Sequence, residues 1–241
     1  MERPADYSAR VQAKYNAVAD IYSDEDRWHA YMLTRVKRAI ERFSALLNNP
    51  DVVIDIGSGG IRQNVSCSRY IQVDFAFDRL VGQPLAVCAD AHKLPLADGC
   101  ADAVICVGAV ASYCSLVELV IEMARVAAHG APMLLHVELS NTFELLFSPK
   151  YRSDAAFVST FYKGDEQLWM YSRKNVLRTL KAAGFEIVAS DYSHIASALA
   201  YKITRNSNFS AKFSWLDRPL TLIPGIGEFA DNGFFFCRKS A

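Results

Sequence analysis

Residues 52–60 read Val-Val-Ile-Asp-Ile-Gly-Ser-Gly-Gly, and no other stretch says as much about the architecture. The apolar run shows no polar alternation, which predicts a strand buried on both faces, as in a parallel sheet. Gly57 and Gly59 then allow a tight turn in which the backbone can approach a ligand closely. Such a turn offers backbone N–H groups to an anion, whereas Asp55 suits a cationic or hydrogen-donating group. A free amino acid combines both characters.

The composition excludes several classes of protein. The 241 residues are 51% apolar, and 26 basic residues balance 26 acidic ones, so no overall field favours nucleic acid or an anionic membrane. The N-terminus is polar and lacks the apolar region of a signal peptide, and the apolar stretch 103–126 is broken by three charged residues. Six cysteines form no C-x-x-C pair and have no histidine at metal-ligand spacing. We therefore expect a reduced, cytoplasmic protein that binds no metal, nucleic acid or membrane.

Strand and helix patterns alternate along most of the chain. Helical periodicity covers residues 8–47, and a break at 48–51 precedes the first strand. The predicted strands cover residues 52–56, 70–75, 85–89, 101–108, 133–138, 185–192 and 233–238, with helices at 116–126 and 176–183. This order predicts a Rossmann-like, doubly wound α/β fold with a mostly parallel seven-stranded sheet.

The whole chain, residues 1–241, is expected to form one domain. Residues 1–50 are an N-terminal helical cap, and residues 51–138 form the half of the sheet that carries the glycine turn. Two long, aromatic-rich insertions follow strands at residues 139–171 and 193–232. Insertions at the carboxyl ends of strands border the usual ligand crevice of an open α/β sheet, so they are expected on the substrate side. Their aromatic rings can line a pocket or simply pack a structural cap.

Several motifs occur in a fixed order along the chain. Asp55, Gly57 and Gly59 match acid-x-Gly-x-Gly-x-Gly, although Ile61 occupies the third glycine position and Gly60 precedes it. Asp74 ends the second strand. Residues 90–95, Asp-Ala-His-Lys-Leu-Pro, together with Asp98 and Asp102, match the pattern acid-Ala-x-x-Leu-Pro-x-x-Asp-x-x-x-Asp. Residues 122–132 resemble Glu-x-x-Arg-Val-Leu-x-Pro-Gly-Gly, and residues 180–186 match Leu-x-x-Ala-Gly-Phe-Glu. In this ordered set the chain resembles the class I S-adenosylmethionine-dependent methyltransferases, specifically the methyltransferase type 11-like, small-molecule branch.

The resemblance implies S-adenosylmethionine as cofactor and assigns residues to it. Asp74 would hold the ribose hydroxyls and Asp90 the adenine amino group, with Ala91 leaving room for a flat ring. The helix at residues 15–22 would cap the cofactor. The expected cofactor-binding residues are Tyr15, Tyr22, Asp55, Gly57, Ser58, Gly59, Asp74, Phe75, Asp90, Ala91 and Val107.

The distance in sequence between the first and second predicted strands is too short for a full glycine loop, a helix and a strand. Asp55 and Asp74 are only 74 − 55 = 19 residues apart, and residues 62–68 between them are poor helix formers. We therefore expect a shortened segment there. Such a segment is similar to methyltransferases encoded among bacterial glycan and secondary-metabolite genes.

The expected reaction moves a methyl group to an oxygen or nitrogen of a small-molecule acceptor, such as a secondary metabolite or glycan precursor. Holding the reactants in attack geometry can supply about 7–11 kcal/mol, so a dedicated base is not obligatory. His136, Glu138 and Tyr113 are the candidate catalytic groups by position. A histidine on an apolar strand is more often a satisfied core residue, and this interpretation is preferred for His136.

Two alternatives stay open from the sequence. A nicotinamide dehydrogenase would require glycine at position 62, where arginine occurs, and leaves residues 90–91 unexplained. A catalytically degenerate protein that binds the cofactor and serves a partner protein is the second alternative, motivated by the altered glycine pattern. The oligomeric state stays open, with a homodimer among the alternatives.

Overall fold

The structure, a computed structural model, describes residues 7–17, 26–160 and 166–240. Its strands are β1 (Val52–Ile56), β2 (Arg69–Asp74), β3 (Ala86–Cys88), β4 (Ala103–Cys106), β5 (Pro132–Glu138), β6 (Ala155–Thr160), β7 (Glu166–Tyr171), β8 (Phe185–Ser193) and β9 (Asn232–Lys239). Its α-helices are α1 (Tyr7–Ala17), α2 (Arg27–Ser44), α3 (Phe77–Leu80), α4 (Leu116–Val126), α5 (Arg173–Ala182), α6 (Ala196–Thr204), α7 (Ser207–Ser210) and α8 (Asp217–Thr221). Short 3-10 turns cover Val110–Tyr113, Phe143–Leu145, Ala211–Leu216 and Ile226–Phe229.

Seven strands form one sheet in the order β3-β2-β1-β4-β5-β9-β8. The pairs among β1, β2, β3, β4 and β5 are parallel, and β9 runs antiparallel to both of its neighbours. All five residues of β1 are buried, as the unbroken apolar run predicts for a central strand. The predicted doubly wound, mostly parallel sheet is therefore confirmed.

Helices cover both faces of the sheet. On one face, the apolar sides of α4 and α5 pack against β1, β4 and β5. On the other face, α2 contributes Val36, Ala39, Ile40 and Phe43, whose spacing places them on one side of the helix. Side chains cap the first turns of α2 and α5: Asp26 accepts a hydrogen bond from the His29 N–H (3.2 Å), and Ser172 accepts one from the Asn175 N–H (3.1 Å).

No helix lies between β1 and β2 in the structure, where residues 57–68 form a turn followed by irregular chain. This outcome confirms the shortened segment that the spacing of Asp55 and Asp74 predicts. The chain returns to the sheet within these twelve residues, and Tyr70 of β2 reaches back to donate a hydrogen bond to Asp55 (2.7 Å).

The two insertions add elements beyond the predicted sheet. The first forms a separate two-stranded antiparallel hairpin of β6 and β7, and the second forms α6, α7 and α8 with the intervening turns. Their α-helical and hairpin character was not predicted from their aromatic content. No helix in the described parts of the chain is long and apolar enough to cross a membrane.

Candidate functional site

One cavity of about 1130 Å³ lies at the carboxyl ends of the parallel strands. At one end, which we call the strand-tip end, it is lined by the residues that follow β1, β2, β3 and β4. At the other, which we call the insertion end, it is lined by residues that follow β5, by the β6–β7 hairpin and by α6. Parallel strands place their carboxyl ends on one edge of a sheet, so this location is the expected one for a ligand in such a fold.

The strand-tip end brings together most of the residues predicted to bind the cofactor. The lining includes Tyr15, Asp55, Gly57, Ser58, Gly59, Asp74, Phe75, Asp90, Ala91 and Val107. Tyr22 lies outside the described residues.

The glycine turn after β1 is fixed by internal hydrogen bonds. The N–H groups of Gly57 and Ser58 both donate to the Val73 carbonyl (2.7 and 3.1 Å), and the Gly59 N–H donates to Asp74 Oδ2 (2.8 Å). The turn therefore uses these donors inside the protein, whereas the sequence pattern predicted that they would face an anionic group. Gly60 explains the altered motif, because a Cβ at this position would lie 1.9 Å from the Arg79 carbonyl oxygen.

Asp74 joins the turn after β1 to the loop after β2. Its Oδ2 accepts from Gly59 and its Oδ1 accepts from the Ala76 N–H (2.8 Å), while the residue itself is buried beside the cavity. The carboxylate is thus held in one orientation at a strand end, where it can accept from two neighbouring hydroxyl groups.

Asp55 lies beneath the turn and is almost fully buried. Burial raises the pKa of its carboxyl group to about 7, and the nearby charge of Asp74 acts in the same direction, while the hydrogen bond from Tyr70 opposes both. The carboxyl group carries a proton for part of the time at neutral pH. Its contact with Tyr70 makes it a support for the turn.

Asp90 is held by a histidine that the sequence analysis did not single out. His92 Nε2 accepts a hydrogen bond from the Ser115 N–H (2.9 Å), so Nδ1 carries the proton and donates it to Asp90 Oδ1. The His92 backbone N–H donates to the same oxygen (2.9 Å). His92 therefore ties Asp90 to the segment that begins α4.

Helix α1 covers the strand-tip end. Gln12 donates to the Phe75 carbonyl (2.6 Å), and the ring of Tyr15 contacts the rings of Phe75 and Tyr113 at centroid distances of 6.5 and 5.6 Å. At its first turn, the Tyr7 hydroxyl donates to the Gln167 carbonyl of β7 (2.8 Å). The helix thus spans both ends of the cavity.

The three candidate catalytic residues all line the cavity. His136 is fully buried and stacks on Phe234, with its Nδ1 accepting from the Ala109 N–H (3.2 Å) and its Nε2 donating to Asn232 Oδ1 (2.7 Å). Burial lowers the pKa of His136 to about 4, so its ring is neutral at pH 7. Because both ring nitrogens are engaged, His136 acts most directly by orienting Asn232. Glu138 and Tyr113 are the remaining candidates for direct contact with an acceptor.

The insertion end contains two acids that the sequence analysis missed, Glu144 and Asp231. Burial raises the pKa of both carboxyl groups, and Asp231 is raised further by its proximity to Glu144 and Glu138. Asn232 Nδ2 donates to Asp231 Oδ2 (2.9 Å), which continues the hydrogen-bonded chain from His136. Glu144 follows β5 and Asp231 immediately precedes β9. These positions near the ends of sheet strands are the sequence signal that could have marked both acids as candidate site residues.

The aromatic rings of the insertions contribute little to this end. Leu168 and Met170 of β7 line the cavity, whereas Trp169 between them packs against Phe157 on the opposite face of the hairpin. Trp215 is 70% exposed and lies outside the cavity lining. Among the aromatic residues of the insertions that the structure describes, Tyr201 of α6 is the one that lines the cavity.

Comparison with known proteins supports the motif assignment. Residues 54–135 match a protein-family model described as a methyltransferase domain. No curated protein matches the sequence.

Solved structures share the fold over nearly the whole chain. The N-methyltransferase NodS from Bradyrhizobium japonicum, in complex with S-adenosylhomocysteine, is 12% identical and has a TM-score of 0.60, with 98% of this chain and 100% of that chain covered. Geranyl diphosphate C-methyltransferase from Streptomyces coelicolor is 13% identical, with a TM-score of 0.59 and coverage of 99% and 100%. The 1,6-didemethyltoxoflavin-N1-methyltransferase from Burkholderia thailandensis is 15% identical, with a TM-score of 0.57 and coverage of 100% and 92%.

The ordered motifs, the strand-tip cavity and the family match agree with one another. Residues 54–135 match a methyltransferase domain, and the chain has the fold of the class I, S-adenosylmethionine-dependent methyltransferases.

Proposed function

We propose that this protein transfers the methyl group of S-adenosylmethionine to an amine nitrogen of a small-molecule acceptor. The observation that carries the proposal is a single cavity with two different ends. The strand-tip end gathers Asp74, Asp90 and the glycine turn, and the insertion end gathers Glu138, Glu144 and Asp231. A cofactor and an acceptor placed at the two ends would meet between them.

The residues at the strand-tip end fit the cofactor. Asp74 would accept from the ribose hydroxyls, and Asp90 would accept from the adenine amino group while His92 holds it. Lys14 of α1 is the one lysine or arginine that lines the cavity in the described part of the chain, so it would meet the methionine carboxylate. The bound cofactor supplies an already activated methyl group. The protein then needs to align the acceptor and exclude water.

The acids favour nitrogen over oxygen at the acceptor. Burial raises the pKa of both Asp231 and Glu144, and repulsion from Glu144 and Glu138 raises that of Asp231 further. A cationic amine beside Asp231 would relieve this repulsion. An ammonium must lose a proton before it can attack, and Glu138 at the end of β5 is placed to accept it. An anionic acceptor such as a diphosphate would meet carboxylates at this end.

The test separates binding from turnover. Purified protein is titrated with S-adenosylmethionine by calorimetry and then incubated with matched pairs of primary amines and the corresponding alcohols, with S-adenosylhomocysteine formation as readout. We expect cofactor binding and product with amines. Binding without turnover on either series would support the cofactor-binding partner protein instead, and turnover on alcohols alone would contradict the choice of nitrogen.

A matched pair of variants tests the role of Glu138. Glu138→Gln keeps the size of the side chain and removes the proton acceptor, so the rate with amines is expected to fall by about 100-fold. Glu186→Gln makes the same change on the exposed side of β8 and should leave the rate unchanged. Equal rates in the two variants would remove Glu138 from the reaction.

A further inference from the structure

The second insertion presents an unusual outer surface. Its exposed large apolar side chains include Ile203, Phe209, Phe213, Trp215, Leu222 and Ile223, and we call these six the apolar patch. Ile203, Trp215 and Leu222 are 76%, 70% and 81% exposed. Exposed apolar residues are common singly, but so many large ones within one short segment mark an interaction surface.

The segment is compact, so the elements that carry these side chains are held near one another. Helix α6 packs against α7, residues 211–216 and α8. The rings of Phe209 and Phe213 contact edge to face at 5.6 Å, and the Lys212 ammonium lies over the Phe209 ring at 5.6 Å. Thr204 and Ser210 are joined by a hydrogen bond between their hydroxyls (2.9 Å).

The first insertion extends this surface. Lys202 of α6 donates to the backbone carbonyls of Glu144 and Leu146 (3.0 and 2.5 Å). This places the neighbouring Phe147 beside α6, where its side chain is 92% exposed. Phe147 also has a left-handed backbone with φ +68°. A large apolar side chain is thus held outward by a fixed loop.

The exposed charges of residues 196–227 have a single sign, and the next acid along the chain, Glu228, is paired with Arg152 and Arg173. Residues 196–227 contain four basic residues and one acidic residue, Asp217. Asp217 is buried, where it accepts from the N–H groups of residues 194, 195 and 196 and from the Tyr31 hydroxyl. Lys202 is engaged by the carbonyls above. The exposed charges of the segment are therefore those of Arg205, Lys212 and Arg218.

We propose that this apolar patch and its three basic side chains dock the protein onto an anionic lipid bilayer surface. Trp and Phe side chains with interleaved Lys and Arg are the composition that places a helical segment at the headgroup boundary. The bilayer supplies negative charge to the basic groups and an apolar layer to the rings. A second copy of the same surface would bring like charges together, so charge complementarity favours the lipid.

The basic and acidic residues of the whole chain balance, and on that ground the sequence predicts no membrane contact. A net charge of zero does not reveal that basic residues are concentrated in this one segment. The same segment contributes Tyr201 and Ser207 to the cavity. Docking would therefore place the insertion end of the cavity beside the headgroups. The proposal itself concerns binding, and it stands independently of methyl transfer.

The test is co-sedimentation of the full chain, without cofactor or acceptor, with two kinds of vesicle. One contains phosphatidylcholine alone, and the other an equimolar mixture with phosphatidylglycerol. We expect binding to the mixed vesicles only, a decrease with added salt, and a blue shift of tryptophan emission that is absent in Trp215→Phe. No binding to the mixed vesicles, or equal binding to both kinds, would overturn the proposal.

Variants locate the surface. Lys212→Glu with Arg218→Glu should reduce binding at least about tenfold, whereas Lys174→Glu with Lys181→Glu makes the same change on the exposed side of α5 and should bind as the wild type does. Leu222→Ser should weaken binding, and Val188→Ser, a change at a 56% exposed position on β8, should not. Equal losses in patch and control variants would contradict the proposal. A concentration-dependent dimer that only the patch variants abolish would identify a second copy as the occupant and overturn it as well.

Discussion

The two ends of the cavity are built in different ways. At the strand-tip end, the acids and the glycine turn lie at or just after the carboxyl ends of β1, β2 and β3, and hydrogen bonds to nearby residues hold them, as Gly59 and Ala76 hold Asp74. At the insertion end, the lining residues come from a hairpin, a helix and two loops that are distant in sequence. The first end is specified by motifs, and the second depends on how the insertions pack. Variants at each end should therefore fail in different ways.

The largest effect is expected at Gly60. Gly60→Ala would place a Cβ 1.9 Å from a backbone oxygen at a φ of +74°, so we expect a loss of about 3 kcal/mol in the free energy of unfolding. Gly82→Ala is the matched control, because its φ is +82° and no atom lies within 4 Å of the added Cβ. It should cost about 1 kcal/mol. Denaturant unfolding measures both, and equal costs would show that the turn can move away from Arg79.

Asp74→Ala is expected to weaken cofactor binding by about 100-fold, because it removes a charged acceptor from the ribose position. The structure adds a second reason, since the same change leaves the Gly59 and Ala76 N–H groups without their acceptor. Calorimetry with S-adenosylhomocysteine measures the affinity, and Asp98→Ala serves as the control at an exposed acid. An unchanged affinity would falsify the ribose assignment.

A pair of neighbouring residues on β7 tests the insertion end. Met170→Ala should raise the KM for the acceptor by about tenfold, because it removes apolar contact area from the cavity wall. Trp169→Ala should lower the melting temperature and leave this KM unchanged, because its ring packs on Phe157 on the opposite face. The reverse pattern would mean that the hairpin presents its other face to the acceptor.

The smallest effect concerns the support of Asp90. His92→Gln is expected to weaken S-adenosylhomocysteine binding by about fivefold, because it loses the ring N–H that orients the carboxylate. His92→Asn, which retains a donor near the Nδ1 position, should lose less. Binding of S-inosylhomocysteine provides the control, since this analogue of S-adenosylhomocysteine lacks the adenine amino group. If both variants weaken the two ligands equally, His92 does not act through Asp90.

The sequence predicts the strand-tip end well because its determinants are local. An apolar run followed by glycine gives β1 and its turn, and the poor helix formers at 62–68 give the short connection to β2. The sequence could not predict that the N–H groups of Gly57 and Ser58 point into the protein, because their acceptor, the Val73 carbonyl, lies on a neighbouring strand.

The insertion end was predicted from aromatic content, which does not determine which way a ring faces. Trp169 and Trp215 both lie outside the cavity lining, because the register of the β6–β7 hairpin and the packing of α6 decide that direction. Glu144 and Asp231 were missed for a related reason. Each is an ordinary surface type in sequence, and only tertiary contacts bring Glu144 and Glu138 close to the buried Asp231.

The bridging position of α1 has a kinetic consequence. Gln12 bonds this helix to the loop after β2 and Tyr7 bonds it to β7 of the hairpin, so a single element contacts both ends of the cavity. Under the proposed methyl transfer, release of either product would require α1 to move, and turnover would then be limited by that movement. Tyr7→Phe removes the hydrogen bond between α1 and β7. We expect this variant to release product faster and to bind both the cofactor and the acceptor more weakly.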